Sequence, residues 1–154
     1  MAFVMDRNLD VDAPAAVVWE VITDLARYPE WNPFCLACAS TLQPGDPIDM
    51  TVKLLARPQQ QREWIQQYME GEGFSYSMKP LPLGALSSWR AHRIVAREDD
   101  RCEYHSLFRL HGWLQGVVTT LLGARLRAGF TAMNAAVKQR AEQLWRVRKT
   151  TTQT

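Results

Sequence analysis

The stretch from Ser88 to Arg97 alternates, and its polar residues fall into register with its apolar ones. Ser88, Arg90, His92, Ile94 and Ala96 share one parity, while Trp89, Arg93 and Arg97 share the other. In a strand, an inward Ile94 therefore carries His92 inward with it. The unperturbed imidazole is the side chain whose charge changes near neutral pH, which makes His92 the first candidate for chemistry. The bland alternative is a histidine satisfied by a neighbouring side chain. Arg90 shares the face but is expected nearer the rim, with a solvated stem.

Cys35-Leu36-Ala37-Cys38 has the spacing of a redox dithiol and of half a zinc site. Neither chemistry is expected, because the pair sits where a strand begins, and residues three apart in a strand point to opposite faces. Cys102, His105 and His111 supply no second ligand pair at zinc spacing. No metal and no cofactor is expected. Gly71 and Gly73 lie in a hairpin turn with no helix after it, so they make no phosphate loop. No nucleophile elbow or Ser-His-Asp order is present. Asp99 and Asp100 fall in a turn and are expected to be solvated.

Composition narrows the partners. In 154 residues, 47% hydrophobic and six of them tryptophan, a chain has the material for one domain with a sizeable core. The formal net charge of +2 is spread along the chain, without the Lys/Arg stripe that neutralises a row of phosphates. The aromatics are also too scattered for a base-stacking platform. Nucleic acid is therefore not an expected partner. Even Val117 to Leu126 is interrupted by Thr119, Thr120, Gly123 and Arg125, so no transmembrane segment is expected. The N-terminus lacks the basic start and unbroken apolar run of a secretory signal, and three cysteines argue against a disulfide framework. The expected location is cytoplasmic.

The periodicities then set the elements that must position these residues. Phe3 to Val11 reads as a strand, ending at Asp12-Ala13-Pro14, where Asp12 is expected to cap a helix that proline begins. Val17, Val18, Val21, Ile22 and Leu25 recur at helical spacing, and Tyr28-Pro29-Glu30-Trp31-Asn32-Pro33 leaves room for one further short turn. From Phe34 to Leu114 the period is two, and the breaks divide the segment into six more strands. Ile48, Met50, Val52 and Leu54 mark an inner face, as do Phe74, Tyr76 and Met78 against a wet Ser75 and Ser77. Cys102, Tyr104, Ser106, Phe108 and Leu110 do the same in the last strand. Leu122, Leu126, Phe130, Met133, Val137, Ala141 and Leu144 step by threes and fours, the strongest periodic signal in the chain. About thirty residues give roughly 45 Å of helix, with Gly123 and Gly129 as the places where it would kink.

The fold class is therefore α+β. A seven-stranded curved antiparallel sheet wraps around a long C-terminal helix, with two short helices after strand one. One domain is expected over 1–149, with a frayed tail over 150–154. A bent sheet closing on such a helix leaves a cavity between them. Leu126, Phe130, Met133 and Val137 are its expected helical wall, and Phe74, Tyr76, Tyr104 and Phe108 its expected aromatic lining.

The residues resemble the START-like, or helix-grip, superfamily, and within it the bacterial polyketide cyclase/dehydrase and lipid-transport group. Three stretches carry the resemblance: Asp12-Ala13-Pro14 with Val18-Trp19-Glu20-Val21-Ile22-Thr23-Asp24, then Tyr28 to Phe34, then Met133-Asn134-Ala135-Ala136-Val137-Lys138. It implies a deep apolar cavity and ligands as varied as lipids, polyketides, sterols, quinones and plant hormones. It also implies a cavity-facing His92 that contacts ligand or acts as acid or base. Relatives commonly carry a glutamate in the last strand where Phe108 stands here, which weakens the enzyme reading. Three functions follow in order: a carrier or sensor of a hydrophobic small molecule, a polyketide cyclase or dehydratase, and a protein-interaction module using the long helix or the loop from Lys79 to Ser87. Oligomeric state is not legible.

Overall fold

The computed structural model describes residues 2–153. Its order is β1 (Phe3–Val11), α1 (Ala15–Thr23), α2 (Tyr28–Trp31), β2 (Cys35–Ser40), β3 (Pro47–Val52), β4 (Gln59–Met69), β5 (Gly73–Ser77), β6 (Ser87–Ala96), β7 (Cys102–His111) and α3 (Gln115–Thr152). The strands form one antiparallel sheet in the order β1-β7-β6-β5-β4-β3-β2. This is the helix-grip arrangement, with α3 lying across the concave face of the curved sheet.

Register explains which residues meet. Paired residues share a face, so the β1–β7–β6–β5–β4 ladder builds transverse rows. One row runs Met5, Phe108, Arg90, Tyr76, Ile65. The next runs Arg7, Ser106, His92, Phe74, Tyr68. The inner face expected of β7 is buried at every position from Cys102 to Leu110. Ser75, expected on the wet face, is buried as well, a short side chain between the pair partners Gln67 and Ala91.

The helices differ from their sequence reading in three details. Pro14 occupies the cap of α1, with its carbonyl accepting from the Val17 and Val18 N–H groups. Asp12, two residues further back, cannot reach those donors and instead accepts from Arg101 Nε at 2.9 Å. Helix α3 is unbroken at Gly123 and Gly129 and continues to Thr152. The hydroxyls of Thr150, Thr151 and Thr152 each donate to the carbonyl four residues back, which extends the helix into the segment read as tail. Thr154 lies outside the described residues. Gly129 has a packing role in place of a kink, since a Cβ there would sit 2.3 Å from the Phe34 ring.

Candidate functional site

The segment after α2 sets one wall. Tyr28 donates its hydroxyl to the Ile22 carbonyl at 2.7 Å, and Asn32 Oδ1 accepts from the Phe34 and Cys35 N–H groups at 3.0 and 2.8 Å. The chain is thereby turned so that Phe34 fits the notch at Gly129 and meets Phe130 edge-on at 5.0 Å. Phe130 also stacks on Phe108 at 4.6 Å. These rings hold helix and sheet apart, and the space beside them is a cavity of about 390 Å³. That volume suits a small hydrophobic molecule.

Of the residues expected at the site, Tyr76, Arg90, Phe108, Leu126, Phe130 and Met133 line the cavity. His92, Phe74, Tyr104 and Val137 are buried but stand outside its wall. The row structure explains the division. The cavity lies over the Phe108–Arg90–Tyr76 row, whereas the Ser106–His92–Phe74 row is filled in by α1, whose Trp19 packs on Tyr68 and Phe74 at 5.6 and 6.4 Å. His92 sits against Phe74 at 4.8 Å, and its Nδ1 shares a hydrogen bond with the Tyr104 hydroxyl at 2.6 Å. Burial, with Arg90 nearby adding to it, holds this imidazole well below its ordinary pKa. It is neutral at physiological pH and satisfied by a neighbour.

Arg90 is the larger correction. Expected at the rim, it is only 2% exposed. Its Nη1 donates to Ser106 Oγ at 2.7 Å, to the Leu107 carbonyl at 3.2 Å and to the Ala91 carbonyl at 3.3 Å. The guanidinium carbon lies 4.9 Å from the centre of the Phe130 ring. Among the described residues no carboxylate forms an ion pair with it within 4.0 Å.

Sequence reasoning missed a carboxyl on the wall. Glu63 lines the cavity from β4 and accepts from Ser88 Oγ at 3.0 Å. Burial raises its pKa, against the opposing effects of the Ser88 hydrogen bond and Arg90. The signal was present, because Glu63 shares parity with the buried Ile65. β4 thus supplies an acid to the wall, where β7 presents Phe108. Burial likewise raises the phenols of Tyr76 and Tyr104, so neither ionises near neutral pH.

The two cysteines of the Cys35–Cys38 pair do not point to opposite faces. A bulge between Cys35 and Ala37 shifts the register, so Cys35 pairs with Val52 and Cys38 with Met50, both on the inner face. A hydrogen bond with Cys35, together with burial, pushes the Cys38 thiol well above its ordinary value. All three cysteines are free thiols. Among the described residues no group of three or more His, Cys, Asp or Glu is gathered to hold a metal.

The loop after β5 and the start of α3 form another wall through Leu86, Val118 and Leu122. Their outer side is apolar, with Leu83, Trp113, Val117 and Leu121 exposed. No described helix is long and apolar enough to cross a membrane.

A family model described as polyketide cyclase / dehydrase and lipid transport matches residues 3–142. The chain belongs to this family. Solved structures show the same fold at low identity. The Zhui aromatase/cyclase from Streptomyces sp. R1128 superposes with TM-score 0.76 at 14% identity, over 93% of this chain and 95% of that one. A START superfamily protein from Mycobacterium smegmatis gives 0.69 at 17% identity, over 92% and 98%. Truncated norcoclaurine synthase from Thalictrum flavum gives 0.66 at 19% identity, over 90% and 92%. No curated protein matches this chain significantly. What these solved structures share with this family member is the START-like fold.

Proposed function

We propose that this protein is a cytoplasmic carrier or sensor that encloses a hydrophobic small molecule between its sheet and its C-terminal helix. The cavity of about 390 Å³, walled largely by aromatic and aliphatic side chains, carries this reading. Affinity comes from burial of apolar ligand surface, and orientation from the few polar groups on the wall. Three free thiols fit a reducing compartment. The spread net charge of +2 favours no nucleic-acid partner.

The test is saturable one-to-one binding of a neutral apolar fluorophore, aminoanthracene, paired with native mass spectrometry of freshly purified protein. Leu122→Trp, at a partly buried cavity-lining position, is expected to weaken fluorophore binding roughly 10-fold or more by filling the space. Absence of binding to the wild type would remove the reading. A cyclase- or dehydratase-type enzyme is the second reading, favoured by Glu63 and Arg90 facing one cavity: a neutral carboxyl can donate a proton while a guanidinium stabilises an oxyanion. Turnover of a polyketide-like substrate that is lost in Glu63→Gln, with fluorophore binding kept, would establish it.

A further inference from the structure

The hydrogen bonds of Arg90 fall on one side of the guanidinium. Nη1 contacts three oxygen acceptors, all from the sheet. Nη2 contacts the Met133 sulfur at 4.0 Å, a weak acceptor, the Tyr104 hydroxyl also lies close to the guanidinium, and Nε is buried with no hydrogen-bond partner among the described residues. Nε and Nη2 together form the edge of a guanidinium that grips a carboxylate through two parallel hydrogen bonds. Met133, which Nη2 contacts, and Phe130, over whose ring the guanidinium carbon lies, are cavity wall, as is Arg90 itself.

A buried cation without an ion-paired counter-charge is costly to maintain. The Phe130 ring face offsets part of that cost, and Glu63 gives little relief, since it makes no ion pair with Arg90 and its burial favours the neutral form. Resting on the reading of the cavity as a ligand site, we infer that its ligand is an apolar carboxylic acid whose carboxylate docks on the Nε/Nη2 edge of Arg90. A phosphate fits less well. The wall's other arginine, Arg62, is already paired with Asp49 at 2.6 Å, so Arg90 alone is left to meet the nearly two negative charges of a phosphate. The apolar remainder of the acid lies among Phe108, Leu126, Phe130 and Leu122, and the carboxylate supplies the two acceptors the guanidinium lacks.

Competition against bound aminoanthracene tests this at about pH 8, where such acids are ionised. Decanoate is compared with decanol, and naphthoate with naphthylmethanol, on wild type, Arg90→Gln and Arg90→Lys. In the wild type the acid of at least one pair is expected to displace the fluorophore at roughly 10- to 100-fold lower concentration than its alcohol. Arg90→Gln should abolish that preference, read as the acid-to-alcohol ratio within the variant whatever its own fluorophore affinity, and Arg90→Lys should keep part of it. Acids and alcohols competing equally in the wild type would overturn the inference without touching the cavity reading. So would an acid preference that survives in a folded Arg90→Gln. If aminoanthracene does not bind the wild type at all, the cavity reading fails and this inference with it. The wild-type comparison decides the matter even if neither variant folds.

Discussion

At the scale of single residues, His92 and Arg90 both depart from the places expected of them: Arg90 is buried on the cavity wall and His92 is buried outside it. Strand parity tells which face a side chain is on, and both are on the inner face. It does not tell which part of that face is filled by another element. Helix α1 covers the row of His92, so its imidazole completes a buried pair with Tyr104. His92→Ala is accordingly expected to cost about 2–4 kcal/mol of stability, from the void and the lost hydrogen bond to Tyr104, while shifting aminoanthracene affinity less than about 3-fold. The pH dependence has a definite sign. A native imidazole held below about 6.5 means the unfolded chain binds its proton more readily, so the stability from neutral His92 is present above that pH and is lost as pH falls from about 7 to 5. Glu63, with its raised pKa, acts in the opposite direction above its ordinary value of 4.5, favouring the native state as pH falls. Urea unfolding of wild type and His92→Ala across this range separates the two, because only the wild type should show the His92 slope; equal slopes would refute it. The thiols give a second residue-scale expectation. With Cys38 held high and Cys102 pushed up to about 11, those two should react with a disulfide reagent at pH 8 far more slowly than in the urea-unfolded chain. Fast labelling of either in the native protein would contradict this.

At the scale of elements, the glycines of α3 show what periodicity does and does not disclose. Three- and four-residue steps mark Leu126, Phe130, Met133, Val137 and Ala141 as one buried face, and all five are buried. Gly129 breaks no step and reads only as a weak point, yet it is the notch that admits Phe34. Gly129→Ala should therefore destabilise by about 1–3 kcal/mol through overpacking, despite alanine's better helix propensity. Gly116→Ala, with open space around its Cβ position, should be neutral or stabilise by up to about 1 kcal/mol. Denaturant midpoints of the two variants check the contrast, and equal shifts would show that the notch does not matter. The same contrast marks how far the sequence could be read. All seven strands, the short helices and the long helix follow from periods of two and of three to four, because those periods record burial directly. The bulge at Cys35 to Ala37 has no such record: one extra residue reverses the facing of everything before it, and only the pairing with Val52 and Met50 reveals it. Glu63 lies between these cases. Its parity with Ile65 places it inside, but a lone acid among glutamines and an arginine in β4 reads as part of a solvated face.

At the scale of the whole molecule, α3 is held to the rest by packing more than by charge. Arg140 and Arg148 reach Glu30 and Glu20 at 2.7 Å, but these pairs are substantially exposed, and such pairs contribute about 0–1 kcal/mol. The seat of the helix is instead Phe34 against Phe130, with Val137 and Ala141 fully buried beyond it. Around the cavity itself, wall atoms have no packing partner on one side and forgo dispersion contacts that an occupant restores. Ligand and fold should therefore be strongly linked. A molecule that binds only the native state adds about 2.7 kcal/mol at a hundred times its Kd, which for a domain of this size raises Tm by roughly 5–10 °C. Thermal melts followed by tryptophan fluorescence, with aminoanthracene titrated from well below to well above its Kd, are expected to show that logarithmic rise. Leu122→Trp, with its cavity filled, should show little of it at the same concentrations. Raising salt to about 1 M should leave the unliganded Tm nearly unchanged if exposed ion pairs contribute as little as argued. A Tm that ignores the ligand but falls steeply with salt would mean that surface charge, and not the packed seat around the cavity, holds the helix to the sheet.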